Sequence, residues 1–342
     1  MGKELRKMIY GAGSLGTVLG AYLSRAGEEI ELVSRNREHI RALKSGGARI
    51  TGTVSFTAGV NAILPEEMKG TYDLIFLMTK QQNNEEVVSG LMKYLAKDGL
   101  IVTFQNGLPE ALIERIAGKD RTMGCTVEWG ATLSAPGECT LTSAPDRLFF
   151  HMGRKEGVLE EKILSVKTIL EKMGPVMIED DLNGVRWSKL LINAAFSGVG
   201  TVTGGTYGDV ARDRQTRRAV IACMNETAAV AKAEGVKLSP MQGIDLGRLF
   251  PCEGFWKRRL VMALIPIAMR KHTEIYPSML QDIEKGKPCE IESFNAVVSE
   301  RGRRNGIPTP INDLITEIIR KIDRGERKAE ASNLALLKDF VQ

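Results

Sequence analysis

The segment IYGAGSLGTVLGAYLSRAGEEIELVSR, residues 9 to 35, constrains the fold more than any other part of this chain. A short apolar strand runs into Gly11, Gly13 and Gly16, and a helical pattern follows at once. A G-x-G-x-x-G turn between a strand and a helix has three separate demands. Gly11 allows the tight turn, Gly13 lets a pyrophosphate reach the backbone, and Gly16 lets the helix lie close to the strand. Ala12, Ser14 and Leu15 complete the turn, and the free N–H groups at the helix start face the phosphates. The alternative is a structural glycine turn without a ligand. An acid at the end of the second strand would bind a ribose 2′-hydroxyl and repel a 2′-phosphate. Ser34 and Arg35 stand there instead, with Arg37 beside them, and a hydroxyl and a guanidinium suit a phosphate dianion. The expected cofactor is therefore NADP(H); the alternative for Arg35 is a solvated surface residue.

The pattern around this turn extends the argument. Strands are expected at 7–10, 29–33, 73–78, 99–104 and 122–127, with helices at 14–25, 37–44, 84–94 and 110–116 between them. Strands alternating with helices predict a parallel sheet with right-handed crossovers. Two strand-like pieces joined by a turn follow at 138–142 and 147–151, then a helix at 159–173 and a strand at 175–178. From Asp181 the pattern is helical: 182–197, 209–234, 255–270, 279–285, 290–305 and 312–320. The expected fold is α/β: a Rossmann-type, doubly wound parallel sheet in residues 1–180, then an all-helical domain in residues 181–342.

The composition narrows the partners. The 342 residues carry 47 Lys and Arg against 42 Asp and Glu, a net charge of +5, with the two signs interspersed. That argues against nucleic acid and for a cleft that takes an anionic small molecule. The five cysteines are scattered and odd in number, as expected of free thiols in a reducing, cytoplasmic setting. The three histidines lie far apart, so no zinc site is expected. VMALIPIAM, residues 261–269, is too short to span a bilayer and reads as a buried helix; no membrane partner is expected, and the apolar 255–269 region makes a homodimer the expected assembly.

The candidate chemistry sits at strand ends and on the helical half. The third strand ends DLIFLMTKQQ and the fourth IVTFQNG, which puts Lys80 and Asn106 at carboxyl ends, where doubly wound sheets bind ligands. The alternatives are a surface lysine and an Asn-Gly turn. In NGVRWSKLLINAAFSGVGTVTG, Lys189, Asn193 and Ser197 are spaced i, i+4, i+8 and share one face of a regular helix. A lysine in a partly dry cleft gives up its proton more readily and can act as a general acid; a snorkelling surface lysine is the alternative. Ser278, after Pro277, reads as a helix N-cap, and Glu290 as a first-turn acid favoured by the helix dipole.

Taken in order, IYGAGSLG, the MTK strand end, QNG, WSKLLIN, SMLQDIEKGKPCEIE and GIPTP resemble the ketopantoate reductase family over nearly the whole chain. The resemblance implies reduction of a 2-oxo acid to a D-2-hydroxy acid by NADPH, a step towards pantothenate and coenzyme A, in a site between the two domains. It implies that Lys189 is the catalytic lysine and that Glu290 hydrogen-bonds the substrate and the lysine network. It makes Asn193 and Ser278 substrate ligands, Lys80 and Asn106 the lining of the cofactor–substrate junction, and Arg35 the 2′-phosphate ligand, with Glu290 also near the cofactor. The chain departs from the family where a second asparagine often follows one turn after Asn193; here that position is Ser197, which is expected to bind substrate in that asparagine's place. The stretch 239–276 is also longer and more apolar than the family pattern. Both departures bear on which 2-oxo acid is accepted. Related hydroxyacid or opine-type dehydrogenases, and an NADP(H) sensor without turnover, are the competing readings.

Overall fold

The computed structural model describes residues 5–153, 158–241 and 243–340. The chain divides into two compact units, Met1–Leu182 and Asn183–Gln342.

In the first unit β1 (Lys7–Tyr10) leads through the glycine turn into α1 (Ser14–Arg25), β2 (Ile30–Val33) and α2 (Arg37–Gly46). Asn36 starts α2 by accepting the His39 N–H on its side chain, and Gly47, at φ +73°, ends it. Next come β3 (Ala48–Gly52), β4 (Phe56–Ala58), β5 (Asn61–Ile63), β6 (Tyr72–Leu77), α3 (Asn84–Leu91), β7 (Leu95–Thr103), α4 (Glu110–Ala117) and β8 (Thr122–Val127). The unit finishes with β9 (Ala131–Ala135), β10 (Glu138–Leu141), β11 (Phe150–Gly153), α5 (Glu160–Leu170) and β12 (Val176–Glu179).

Eight strands form one sheet in the order β12-β11-β8-β7-β6-β1-β2-β5. From β5 to β8 every pairing is parallel. The order reverses between β1 and β6, so the glycine turn opens at the topological switch point. The inner strands read as unbroken apolar runs because both faces are covered: Met8, Ile9, Ile75, Phe76, Leu77, Ile101 and Val102 have no exposed surface.

The pieces near 138–142 and 147–151 do not form a hairpin. β10 joins β3, β4 and β9 in a separate four-stranded sheet, ordered β4-β3-β10-β9, while β11 pairs antiparallel with β8 in the main sheet. The small sheet packs on α1. α1 is thus covered on two sides: a Cβ on Gly20 would lie 2.6 Å from Leu32 of the main sheet, and Thr17, Val18, Leu19 and Ala21 are all fully buried.

The second unit is helical among the described residues, apart from one isolated bridge between Met241 and Ile244. α6 (Leu182–Ile192) passes through a turn of π-helix, Asn193–Ser197, into α7 (Gly198–Thr203). There follow α8 (Tyr207–Arg212), α9 (Arg214–Ala233), α10 (Leu246–Leu249), α11 (Phe255–Ala268), α12 (Ser278–Glu284), α13 (Asn295–Asn305) and α14 (Pro310–Asp323). The helix expected over 209–234 is broken at Asp213, whose carboxylate accepts the N–H groups of Gln215 and Thr216 and starts α9 afresh. α9 is the hub, packed by α8, α11, α13 and α14. α14 turns Ile311, Ile315, Ile318, Ile319 and Ile322 inward, the i, i+4, i+7, i+8, i+11 stripe of a core-facing helix. Each such side chain contributes about 1.5–3 kcal/mol on full burial.

Candidate active site

The glycine turn has the geometry its sequence demands. Gly11 sits at φ +111°, and a Cβ there would lie 2.5 Å from the Thr79 nitrogen and 2.6 Å from the Met78 carbonyl carbon. A Cβ on Gly16 would lie 2.4 Å from the Gly11 oxygen. Gly13 differs: it is exposed, its φ is −89°, and a Cβ would meet nothing within 4 Å. Two of the three glycines are thus required by the protein's own packing, and the third keeps an open face. The N–H groups of Gly11 and Ala12 donate to the Val33 carbonyl at 2.9 Å, which locks the turn to the end of β2. Gly13 is the N-cap of α1 and brings no side chain to it, so the N–H groups of Ser14, Leu15 and Gly16 point out of the helix start without an intrahelical acceptor. This cradle fits a dinucleotide pyrophosphate.

Ser34 and Arg35 follow β2 directly. The Ser34 hydroxyl accepts the Asn36 N–H at 3.2 Å. Arg35 is exposed beside Tyr10: burial raises the phenol's pKa, and the charge of Arg35 acts against that rise. Arg37 is taken up by an exposed ion pair with Glu66.

Lys80 and Asn106 lie just past the ends of β6 and β7, both half-buried. The Asn106 carbonyl accepts from the Gln81 side chain. Beneath them lies a polar cluster that the sequence reading missed. Buried Gln105 gives its Nε2 to Asn84 Oδ1 at 2.9 Å and to Thr79 Oγ1 at 3.4 Å. Its Oε1 accepts from Asn84 Nδ2 at 3.2 Å and from Thr103 Oγ1 at 3.1 Å. The reciprocal amide pair ties the two strand ends to each other and to the start of α3. The signal was present as two amides, Gln105 and Asn106, directly after an apolar strand.

In the second unit Lys189 and Asn193 are half-buried, four residues apart, and so lie on one side of the helix. The π-turn interrupts the expected i, i+4, i+8 stack. Residues in a π-turn advance less about the axis than in an α-helix, and Ser197 is buried with its Oγ 2.7 Å from the Tyr207 hydroxyl. Ser278 is exposed and is the first residue of α12, with Pro277 at the cap position, so it does not act as an N-cap. Glu290 is 8% exposed. It precedes a single 3₁₀ turn, Ile291–Ser293, and α13 itself starts only at Asn295; Glu290 is therefore not an exposed first-turn acid. The long segment 239–276 folds into α10 and α11, and its Cys252 is held by Asn225 through N–H···Oδ1 at 2.5 Å and Nδ2–H···O at 3.4 Å.

Two family descriptions match consecutive parts of the chain: "Ketopantoate reductase PanE/ApbA" over residues 8–154 and "Ketopantoate reductase PanE/ApbA C terminal" over residues 181–323. A 2-dehydropantoate 2-reductase of Mesorhizobium japonicum is 27% identical over 345 aligned positions, covering 93% of this chain and 98% of that protein. The crystal structure of a 2-dehydropantoate 2-reductase from Geobacter metallireducens has a TM-score of 0.77 at 25% identity, covering 93% and 99% of the two chains. A D-mandelate dehydrogenase complex with NADH and anilino(oxo)acetate shares the fold, with a TM-score of 0.81 at 22% identity and coverage of 94% and 99%. The order of motifs, the sheet that carries the glycine cradle and the helical unit that follows it lead to one conclusion: the chain belongs to the ketopantoate reductase family.

Proposed function

We infer that the protein reduces a 2-oxo acid, ketopantoate first, to the D-2-hydroxy acid with NADPH. The observation that carries this reading is the open Gly13 position inside a turn whose other glycines are packed shut, in a chain matched along its length by one reductase family. The bound dinucleotide supplies a hydride to C2 of the substrate. The protein's part is to place the acid and to manage the proton. Lys189 donates its proton to the substrate's carbonyl oxygen, so that the developing alkoxide becomes a hydroxyl without a free negative charge. Glu290, nearly buried, orients the lysine and accepts from the substrate. Asn193 and Ser278 hold the acid's polar groups, and Lys80 and Asn106 line the junction with the cofactor. Gly11, Ala12, Gly13, Ser14, Leu15 and Gly16 cradle the pyrophosphate, and Ser34 with Arg35 takes the 2′-phosphate that selects NADPH over NADH. Arg37, beside them, forms an exposed ion pair with Glu66 that a phosphate can displace. The Ser197 hydroxyl, bonded to Tyr207, is directed into the fold, and the pocket beyond Asn193 therefore presents less polar surface to the substrate. That favours testing 2-oxo acids with apolar side chains beside ketopantoate.

The same reading includes a homodimer in a reducing, cytoplasmic setting; all five cysteines are buried and none forms a disulfide. Trp256, Leu260 and Ile267 on α11 are 79%, 55% and 69% exposed. With exposed Ala263 they are spaced 4, 3, 4, the a/d seam of two packed helices. Packed antiparallel on a second copy about a two-fold axis, Trp256 meets Ile267 and Leu260 meets the small Ala263.

The direct test of the chemistry is a single variant. Lys189→Ala should cut turnover by about 10²–10⁴ while NADPH binding stays near that of the parent. Unchanged turnover would remove Lys189 from the reaction.

A further inference from the structure

The π-turn at Asn193–Ser197 is held by a buried chain of side chains from three other helices. Glu226, on α9, accepts the backbone N–H groups of Ile311 and Asn312 at 2.9 and 3.0 Å, and the Asn312 side-chain Nδ2 at 2.8 Å. This fixes which end of the Asn312 amide is nitrogen. The Asn312 Oδ1 must then face Asn295, and it accepts from Asn295 Nδ2 at 2.9 Å. The same Nδ2 donates to the Ala194 carbonyl, inside the π-turn, at 3.0 Å. Each amide orientation follows from the one before, starting at a carboxylate that can only accept. Asn295 and Asn312 have no exposed surface.

Two further details show that this side chain is present for its NH₂. Asn295 Oδ1 is buried and has no hydrogen-bond partner among the described residues, a cost that an apolar side chain would avoid. Gly198, the first residue after the π-turn, makes room for the amide: a Cβ there would lie 3.0 Å from Asn295 Oδ1 and 3.2 Å from its Nδ2. π-turns are rare because they close a wider ring than the α-helix, and they persist where something outside the helix holds them.

We propose that Asn295 is a positioning residue: it pins the Ala194 carbonyl and thereby sets the rotation of Asn193 relative to Lys189 on the preceding helical turn. The inference rests on the reductase reading for what Asn193 and Lys189 do, but the pinning itself does not. Asn295 touches neither residue through its own hydrogen bonds; it acts through the backbone that carries Asn193.

A matched control exists at the other end of the same helical rod. Asn333, also buried, donates its Nδ2 to the Val202 carbonyl of α7 at 2.9 Å. Asn295→Ala and Asn333→Ala each remove one buried amide-to-carbonyl bond from the rod, and only the first touches the π-turn. Amide hydrogen exchange and steady-state kinetics are measured on the full-length chain. Asn295→Ala should speed exchange at residues 193–198 about tenfold or more. It should also raise KM for the 2-oxo acid by a similar factor, with the NADPH Kd unchanged. Asn333→Ala should lower Tm comparably and leave exchange at 193–198 and KM as in the parent. Gly198→Ala, which displaces the amide without removing it, should act in the same direction as Asn295→Ala and serves if that variant does not fold. Parental exchange at 193–198 in Asn295→Ala, or an equal rise in KM for Asn333→Ala, would overturn the proposal. If the parent enzyme reduces no 2-oxo acid, the reductase reading falls, and exchange at 193–198 alone decides whether the pin exists.

Discussion

Arg35 is the residue on which cofactor choice turns in this account. Arg35→Ala should weaken NADPH binding by one to two orders of magnitude, about the worth of a charge-assisted phosphate contact, and leave NADH binding almost unchanged. Equal losses for both, measured by cofactor titration, would return Arg35 to the solvent. Two histidines carry a second residue-scale prediction. His39 is fully buried; its Nδ1 accepts the Gly137 N–H and its Nε2 lies 2.9 Å from Thr17 Oγ1, so it is held neutral, and burial lowers its pKa from 6.5. His151 lies between Glu128 and Glu179, at 3.2 and 2.8 Å, and hydrogen bonds to those carboxylates, Glu128 first, raise its pKa. The signs are opposite. The His39 contribution to stability is complete above about pH 6.5 and is lost as pH falls, because the unfolded chain takes up the proton first. The His151 contribution is complete below about pH 6.5 and is lost as pH rises through its folded value. Proton NMR titration should therefore place the two on either side of 6.5; a shared midpoint near 6.5 would contradict both environments. At this scale the positions of the glycines, Lys80 and Asn106 were legible, because glycine spacing and strand ends can be read from the apolar pattern; the role of Lys189, on a helix, was implied only by the family resemblance. Gln105, Asn295 and Glu226 were not legible, since their roles depend on partners 21 to 101 residues away.

The elements differ in how much of themselves they announce. The strand, turn and helix from Lys7 to Arg25 were legible to the residue because apolar period and glycine spacing agree there. β3, β4, β5 and β9 were not: they are three to five residues long, and their places, β5 at the edge of the main sheet and the others in the small sheet, are set by pairing across distant segments. The π-turn was hidden for a different reason. Its sequence, NAAFS, is compatible with an ordinary helix, and the departure becomes visible only with Asn295 seated on its carbonyl. The Asp213 break could have been found, since an aspartate directly before a helical run is an N-cap signal. The glycine turn gives a clean separation of folding from binding. Gly13→Ala should leave Tm within a degree or two, because the added methyl meets nothing within 4 Å. It should still weaken NADPH binding by at least tenfold, because that open face is where the phosphates approach. Gly11→Ala should instead unfold or strongly destabilise the protein, through φ +111° and the 2.5 Å approach to Thr79. Calorimetry with cofactor titration separates these outcomes; unimpaired binding by Gly13→Ala would refute the cradle.

For the whole molecule, the apolar stretch 261–269 was expected to be a buried helix. In the chain alone only Val261 and Ile265 of α11 are buried, and the seam from Trp256 to Ile267 faces outward. Leu260→Glu should shift the protein from dimer to monomer in light scattering. A parent protein that is monomeric at tens of micromolar would contradict the pairing. No described helix is long and apolar enough to cross a membrane. The most direct measurement is the rate at which the purified protein oxidises NADPH with ketopantoate, beside a panel of other 2-oxo acids. The account predicts rapid, substrate-dependent oxidation that yields the D-2-hydroxy acid and is abolished in Lys189→Ala. Tight NADPH binding with no oxidation by any 2-oxo acid would contradict it and leave a nucleotide-binding protein without turnover.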